Sequence, residues 1–252
     1  MKIVLDLDGT VCRTNTFRQW TLRTFLRPNA LNQSLYLRSV AVFVWFYLLR
    51  MLGLLSHRQM KGRFVARFAA MVGRASPLTT ERYLREFAAS MTGEYLNRQV
   101  IQEVCRLQND PTTMSLRRDV ALATAAPSFY AEYIAESLGW DCFSSEIDLD
   151  RISAKSADCW QENLGDMKLR SIRDWLEGDE FVLFTDHQDD WPLIELSALV
   201  YLVNPAAELV GRMVSAHKPF RMLGNEGLEP DKPSRFRPVF DTGPIDQLET
   251  TP

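Results

Sequence analysis

The sequence predicts an α/β protein: a doubly wound parallel sheet core with a helical cap inserted after the first strand. Short apolar runs alternate with amphipathic helical patterns at the start of the chain and again beyond residue 119, which is typical of parallel sheets. The stretch between them, residues 11 to about 110, shows helical spacing throughout. A length of 252 residues fits such a core with an insertion.

The first strand is predicted at residues 3–5, an apolar run that ends before Gly9. It is followed by Asp6 and Asp8, whose side chains point the same way because strand side chains alternate. Burying two such carboxylates without a partner is costly, so we expect a cation beside them. Gly9 allows a turn and a close ligand approach, although a strand running into a simple Asp-Gly turn is the alternative interpretation.

The predicted cap begins with a helix that carries Phe17, Trp20 and Phe25 and ends before Pro28. Further helices are predicted at residues 59 to 75 and 79 to 107, the second capped by Thr79 or Thr80.

The second cap helix, Leu35 to Leu55, contains ten consecutive apolar or aromatic residues from Val40 to Leu49. Spanning a membrane takes about 20 apolar residues, and Arg50 would be costly in lipid, so this helix is not predicted to span. Two interpretations remain open: a helix buried in the cap, or one lying in a membrane interface.

The core resumes at Asp119, with strands and helices in alternation. Strands are predicted at residues 120–123, 147–149, 180–185 and 199–203, and helices at 129–138, 164–176 and from Ala206. The resulting division is a core of residues 1–11 and 115–222, a helical cap of 12–114 and an extended C-terminal tail of 223–252. Ligands in such sheets bind beyond the carboxyl ends of the strands.

Charge is distributed unevenly along the chain. Residues 9 to 80 contain no Asp or Glu but 11 Lys or Arg, whereas from Glu81 onward 17 Lys or Arg face 30 Asp or Glu. A solvated helix face usually mixes both signs, so the cationic cap favours an anionic partner. Because an apolar run lies beside the arginines, an anionic membrane surface fits better than nucleic acid, and no nucleic acid is expected.

The four cysteines form no C-x-x-C pair, which argues against a zinc site or a disulfide framework. This cysteine usage, with no visible signal peptide, predicts a cytoplasmic protein, with peripheral association at the inner face of the membrane as a further expectation.

The segment Asp6-Leu7-Asp8-Gly9-Thr10 resembles the first motif of the haloacid dehalogenase-like (HAD) phosphatase superfamily. Thr124 resembles the second-motif residue that hydrogen-bonds a phosphate oxygen, and Lys168 resembles the third-motif lysine. Asp186 and Asp190, after a strand, resemble the acidic fourth motif. The order of the motifs is similar to the phosphoserine-phosphatase-like branch (subfamily IB). The basic, aromatic-rich cap is similar to that of the phosphatidylglycerophosphatase C type.

This resemblance implies a Mg²⁺-dependent phosphomonoester hydrolase with an aspartyl-phosphate intermediate. Asp6 would be the nucleophile, Asp8 the acid and then base, and Lys168 would offset charge on the phosphoryl group.

The resemblance also implies ligand sets. Mg²⁺ would be held by Asp6, by the Asp8 main-chain carbonyl and by Asp186. Asp190 would be the further acid of the metal site near Lys168, unless Asp189 takes its place. Phosphate oxygens would be held by Thr124 and by backbone groups of Ala125 and Gly9.

Two residues depart from the motif: His187 stands where a small Ser is common, and Thr185 where Gly is common. The substrate would be a lipid phosphate at a membrane surface. The alternatives are a small soluble phosphate metabolite and a non-catalytic binding protein on the same core. The sequence does not predict the oligomeric state.

Overall fold

A computed structural model describes residues 1–108, 119–152 and 161–224. Its strands are β1 (Lys2–Leu5), β2 (Val120–Pro127), β3 (Asp141–Ser145), β4 (Phe181–Thr185), β5 (Leu199–Val203) and β6 (Phe220–Leu223). They form one parallel sheet in the order β3-β2-β1-β4-β5-β6. The predicted parallel sheet is confirmed, with β1 at its centre.

In the described part of the chain, the helices lie between these strands. They are α1 (Thr16–Leu26), α2 (Tyr36–Met51), α3 (His57–Val72), α4 (Pro77–Glu94), α5 (Arg98–Gln108), α6 (Ser128–Leu138), α7 (Asp166–Leu176), α8 (Trp191–Leu196) and α9 (Ala207–Ser215). Helices α1–α5 all lie between β1 and β2 in the chain, as predicted, and we call them the cap.

Both faces of the sheet are covered because successive strand side chains point to opposite sides. Ile3 and Leu5 pack in an apolar cluster with residues of the cap and α6. Val4, between them, packs in a second cluster with residues of α7, α8 and α9. The strand ends therefore remain the place where polar side chains can gather.

The cap shares its apolar core with the sheet through Trp20 of α1, which is fully buried. The Trp20 ring lies 5.2 Å from the ring of Phe68 in α3 and 5.2 Å from that of Phe129 in α6. Burial of aromatic rings contributes strongly to core stability, so this contact fixes the cap on the core.

The chain segments that precede α1 and follow α4 lie side by side. The Arg13 N–H donates to the Tyr95 carbonyl at 2.8 Å, and the Asn97 N–H donates to the Val11 carbonyl at 2.8 Å. This pairing ends α4 and separates it from α5, so the single helix predicted over 79 to 107 is wrong. It also fixes the loop that follows Asp8.

Two local predictions were wrong. The strand predicted at 147–149 is absent, and the strand in that part of the chain is β3, at Asp141–Ser145. The N-cap of α4 is Ser76 rather than Thr79 or Thr80: its Oγ accepts the Thr79 N–H at 3.2 Å, with Pro77 in the first turn.

Strand β6 was not predicted. The division into core, cap and tail stays a prediction, and of the predicted tail all but Leu223 and Gly224 lies outside the described residues.

Candidate active site

Asp6 lies directly beyond the end of β1 and is held on both sides. Its N–H donates to the Phe184 carbonyl of β4 at 2.9 Å. Its Oδ1 accepts a hydrogen bond from Lys168 Nζ at 2.8 Å. Lys168 lies in the first turn of α7 and is almost fully buried, so the lysine expected from the motif order lies in direct contact with Asp6. Within the described part of the chain, Asp6 Oδ2 accepts no hydrogen bond, which leaves it open toward a ligand.

Asp190 is the second partner of Lys168, at 2.6 Å from Nζ to Oδ1. It lies in a short 3₁₀ turn after β4, and its Oδ2 accepts the Thr185 hydroxyl at 2.6 Å. Asp189 is instead exposed beside His187, with 3.3 Å between Oδ2 and Nδ1. Of these two acids, Asp190 is therefore the one that faces the site.

Asp8 is held at the N-terminus of α1. Its Oδ1 accepts the Thr16 N–H at 2.8 Å, and its Oδ2 accepts Nδ2 of Asn15 at 3.2 Å. Asn15 also caps α1, because its Oδ1 accepts the Arg18 N–H at 2.8 Å. A helix N-terminus favours a negative charge, so the first cap helix both orients and stabilises this carboxylate. No sequence pattern indicates this contact, apart from the Asn that precedes the helical pattern.

Gly9 makes room for Asp186, which follows β4. Its φ is +78°, and a Cβ at this position would lie 2.0 Å from Asp186 Oδ2. Only glycine accommodates both the backbone angle and the approaching carboxylate. Asp186 is thereby brought against the Asp6–Gly9 loop.

Burial raises the pKa of three carboxyl groups at this site. It raises the pKa of Asp6 to about 8, opposed by Lys168 and assisted by the nearby charges of Asp190 and Asp186. It raises the pKa of Asp186 to about 6. It also raises the pKa of Asp8, against the hydrogen bonds from Thr16.

For Lys168, the neighbouring charges outweigh the effect of burial on its pKa. Burial alone would lower its pKa, but the charges of Asp190 and Asp6 outweigh that effect and raise it. The lysine therefore stays protonated between its two carboxylates.

Thr124 and Ala125 lie on the neighbouring strand, β2. In the register of β1 and β2, Leu5 pairs with Leu122, so Thr124 lies two residues further toward the same end of the sheet. Its Oγ1 accepts the Ala126 N–H at 3.1 Å, and the Ala125 carbonyl accepts the Ser145 hydroxyl at 2.8 Å.

The donor set at the end of β1 suits a hard cation. The carboxyl groups of Asp6 and Asp186 lie close together and have raised pKa values. Because residue 9 is glycine, no side chain fills the space between its backbone and the Asp186 carboxylate. Mg²⁺ prefers a few such oxygens and completes its shell with water or phosphate. No group of three or more His, Cys, Asp or Glu side chains in residues 1–108, 119–152 and 161–224 is arranged to hold a metal.

Lys61, in α3, is a neighbour of the site, and no sequence pattern predicted its position there. Its Nζ lies 2.9 Å from Glu162 Oε2, and both side chains are largely buried. Its charge also lowers the pKa of Asp8, in part offsetting burial. A lone lysine in a basic helix carries no sequence signal of such a contact.

Comparisons with solved structures support the fold. A protein of unknown function from Bordetella pertussis Tohama I is 18% identical, with a TM-score of 0.62 over 87% of this chain and 96% of its own. A HAD family hydrolase from Salmonella enterica serovar Typhi is 11% identical, with a TM-score of 0.50 over 83% of this chain and 64% of its own. A probable phosphoserine phosphatase from Vibrio cholerae is 12% identical, with a TM-score of 0.50 over 83% and 58%. No family model and no curated protein matches the sequence. The chain thus has a HAD-like fold.

Proposed function

We propose that this protein is a Mg²⁺-dependent phosphomonoester hydrolase of the HAD superfamily, acting through an aspartyl-phosphate on Asp6. The observation that carries the proposal is the contact of Asp6 with Lys168, because it orients one carboxylate oxygen and leaves the other open toward a ligand. The HAD hydrolase and the probable phosphoserine phosphatase among the solved structures of this fold support phosphate-ester chemistry.

In the proposed reaction, Asp6 attacks phosphorus and the bond from phosphorus to the ester oxygen breaks. Asp8, anchored at the N-terminus of α1, donates its proton to the departing oxygen. It then takes a proton from the water that hydrolyses the aspartyl-phosphate, which regenerates both carboxyl groups. Lys168 compensates negative charge on Asp6 and the phosphoryl group, and Asp190 holds Lys168 in place.

Mg²⁺ bound by Asp6 and Asp186, with the Asp8 carbonyl, would neutralise charge on the phosphoryl group. Thr124, with backbone groups of Ala125 and Gly9, would hold the phosphate oxygens. Asp190 supports the site through Lys168, since both its oxygens already accept hydrogen bonds.

The substrate class is a second part of the proposal. A lipid phosphate presented at a membrane surface, as for the phosphatidylglycerophosphatase C type, is favoured by the apolar side chains that α2 exposes to solvent. The alternative is a small soluble phosphate metabolite, and a panel of lipid and soluble phosphomonoesters would distinguish the two.

The proposal predicts that Asp6→Asn abolishes turnover of an aryl phosphate while circular dichroism stays unchanged. The matched control is Asp189→Asn, which removes a carboxylate from the same end of the sheet but from an exposed position, and it should keep wild-type turnover. Mass spectrometry of the acid-quenched wild type should detect a phosphoryl adduct on Asp6. Turnover by folded Asp6→Asn protein would refute the mechanism. Absence of Mg²⁺-dependent turnover on any tested ester would favour a binding protein.

A further inference from the structure

Helix α2 has one face turned toward the cap and one turned toward solvent. On the inner face, the Phe46 ring lies 5.2 Å from that of Phe64 in α3, and the Phe43 ring lies 5.6 Å from the same ring. The inner face accounts for only part of the apolar run in this helix. Several of its other apolar side chains, Val44, Trp45 and Leu48 among them, are exposed to solvent.

The outer face of α2 is apolar along its whole length. The large side chains at positions 37, 44, 45, 48, 51 and 52 are 43 to 83% exposed. Their spacing of three, four and seven residues places them in one stripe, which we call the α2 stripe (Leu37, Ala41, Val44, Trp45, Leu48, Met51 and Leu52). A contiguous exposed apolar patch of this kind marks an interaction surface.

Arg38 borders this stripe, because it lies three and seven residues before Ala41 and Trp45 on the same helix and is exposed. Arg38 of α2 and Arg74, just beyond α3, are close enough to Arg67 that their charges, after its partial burial, lower the pKa of its guanidinium group. The buried Nε of Arg67 has no hydrogen-bond partner among the described residues. We call these three residues the arginine cluster. The like charges of Arg38, Arg67 and Arg74 repel one another, so an anion beside them would be stabilised.

We propose that the α2 stripe and the arginine cluster form one surface that docks on a membrane containing anionic phospholipid. Helix α2 would lie in the interface with the stripe among the acyl chains, and the arginine cluster would bind headgroup phosphates. No helix in the described part of the chain is long and apolar enough to cross a membrane. This proposal deepens the proposed function and rests on its choice of a lipid substrate; its tests measure binding rather than turnover, so its failure is distinguishable from failure of the catalytic proposal.

Charge distinguishes a membrane from a second copy of this chain as the occupant. In a symmetric pair, stripe against stripe, the two arginine clusters would border the same interface. Residues 9 to 80, which include all of α2 and α3, contain no Asp or Glu that could pair with them, so these helices of two copies would repel each other. An anionic lipid surface supplies both the apolar phase and the opposite charge.

The first test is sedimentation with vesicles of phosphatidylcholine alone or mixed with phosphatidylglycerol, at low and high salt. Wild-type protein should bind the anionic vesicles and be released by salt. Replacing Arg38, Arg67 and Arg74 by Gln should weaken binding on the order of 100-fold, since each basic side chain near an anionic surface contributes about five-fold. The matched control replaces the exposed Arg82, Arg98 and Arg170 by Gln, with the same net charge and a much smaller effect.

The second test concerns the stripe. Trp45→Gln with Leu48→Gln should reduce binding at least about tenfold, whereas Phe46 is left unchanged because it packs on Phe64. Brominated phosphatidylcholine should quench Trp45 fluorescence in the wild type. In Trp45→Phe, which keeps the stripe apolar, that quenching should disappear while sedimentation persists; this readout holds even if the double variant does not fold.

Several outcomes would overturn the proposal. Wild-type protein that stays in the supernatant with both vesicle types at low salt excludes docking. Equal losses of vesicle binding in the two triple arginine variants would exclude a specific role of the arginine cluster in docking. Unchanged vesicle binding in the folded stripe variant would exclude a role of the α2 stripe. A lipid-independent dimer that the stripe variant dissociates assigns the stripe to a second copy. Aryl phosphate turnover, measured separately, shows whether the catalytic proposal stands or fails independently.

Discussion

Thr185 shows how one residue fixes the geometry of the acidic loop after β4. Its hydroxyl donates to Asp190 Oδ2, while Lys168 binds Oδ1. Both oxygens of a nearly buried carboxylate are thus satisfied, as burial requires. A Thr at this position, unusual for the motif, therefore supplies a partner that glycine would lack. The geometry of this loop could not be predicted from the sequence, because a hydroxyl–carboxylate contact depends on how the loop folds back.

A Cβ at position 9 would collide with the Asp186 carboxylate. Gly9→Ala should reduce Mg²⁺ affinity by about 10- to 100-fold, the range found when the support of a metal ligand is lost, because the new Cβ would displace Asp186. The left-handed backbone adds about 1–2 kcal/mol of strain. Isothermal titration calorimetry with Mg²⁺ measures the effect.

The matched control for Gly9→Ala is Gly139→Ala. Gly139 also has a positive φ, +72°, but a Cβ there meets nothing within 4 Å. It should carry the same backbone strain and bind Mg²⁺ normally. Equal Mg²⁺ affinities in the two variants would contradict the proposed position of Asp186 in the metal site.

Among the elements, the strands at the centre of the sheet were predictable and those at its edges were not. β1, β2, β4 and β5 are buried on both faces, so each reads as a continuous apolar run. β3 and β6 are the edge strands and are mostly only partly buried. Their sequences include polar residues such as Asp141 and Arg221, so the apolar signal was stronger at 147–149, where no strand forms.

The N-terminus of α1 is the element that positions Asp8, and Asn15→Ala tests it. This change should destabilise the protein by about 1 kcal/mol through loss of the cap. It also removes one of the hydrogen bonds that orient Asp8. Turnover of an alkyl phosphate, whose leaving oxygen needs a proton, should fall more than turnover of 4-nitrophenyl phosphate.

The control for Asn15→Ala is Ser76→Ala, which removes the N-cap of α4 in the same cap. It should cost similar stability, measured by chemical denaturation, and leave the ratio of alkyl to aryl turnover unchanged. If both variants shift that ratio equally, the effect of Asn15 comes from cap stability rather than from Asp8.

In the whole molecule, motifs that lie far apart in the chain meet at the carboxyl ends of neighbouring strands. Asp6 and Asp186 follow β1 and β4, which are neighbours in the sheet, and Lys168 of α7 binds Asp6 and Asp190. The contacts between cap and core were not predictable, because Asn15 with Asp8 and Lys61 with Glu162 depend on how the cap packs. Charge asymmetry was visible in the sequence, but only the structure separates the inner and outer faces of α2.

The stability of the whole protein should depend on pH and Mg²⁺ together. In the unfolded chain an Asp carboxyl has a pKa of about 3.9, whereas burial raises the pKa of Asp186 to about 6 and that of Asp6 to about 8 in the folded, metal-free protein. Groups with raised pKa values stabilise the fold below the unfolded pKa, and this contribution is lost as pH rises through the folded values. The metal-free protein should therefore lose stability from these two groups between about pH 4 and pH 8.

Mg²⁺ needs the ionised carboxylates and should reverse that loss. At a concentration 100 times its Kd, Mg²⁺ should raise the melting temperature by about 5–10 °C near pH 8. The rise should shrink toward pH 5, where protons compete for the same oxygens. Thermal denaturation with EDTA or Mg²⁺ across this range measures the shift, and Asp186→Asn should reduce both the Mg²⁺ effect and its pH dependence. A Mg²⁺ effect equal at pH 5 and pH 8 would contradict cation binding by Asp6 and Asp186, because their ionisation is what the folded protein opposes and the cation favours.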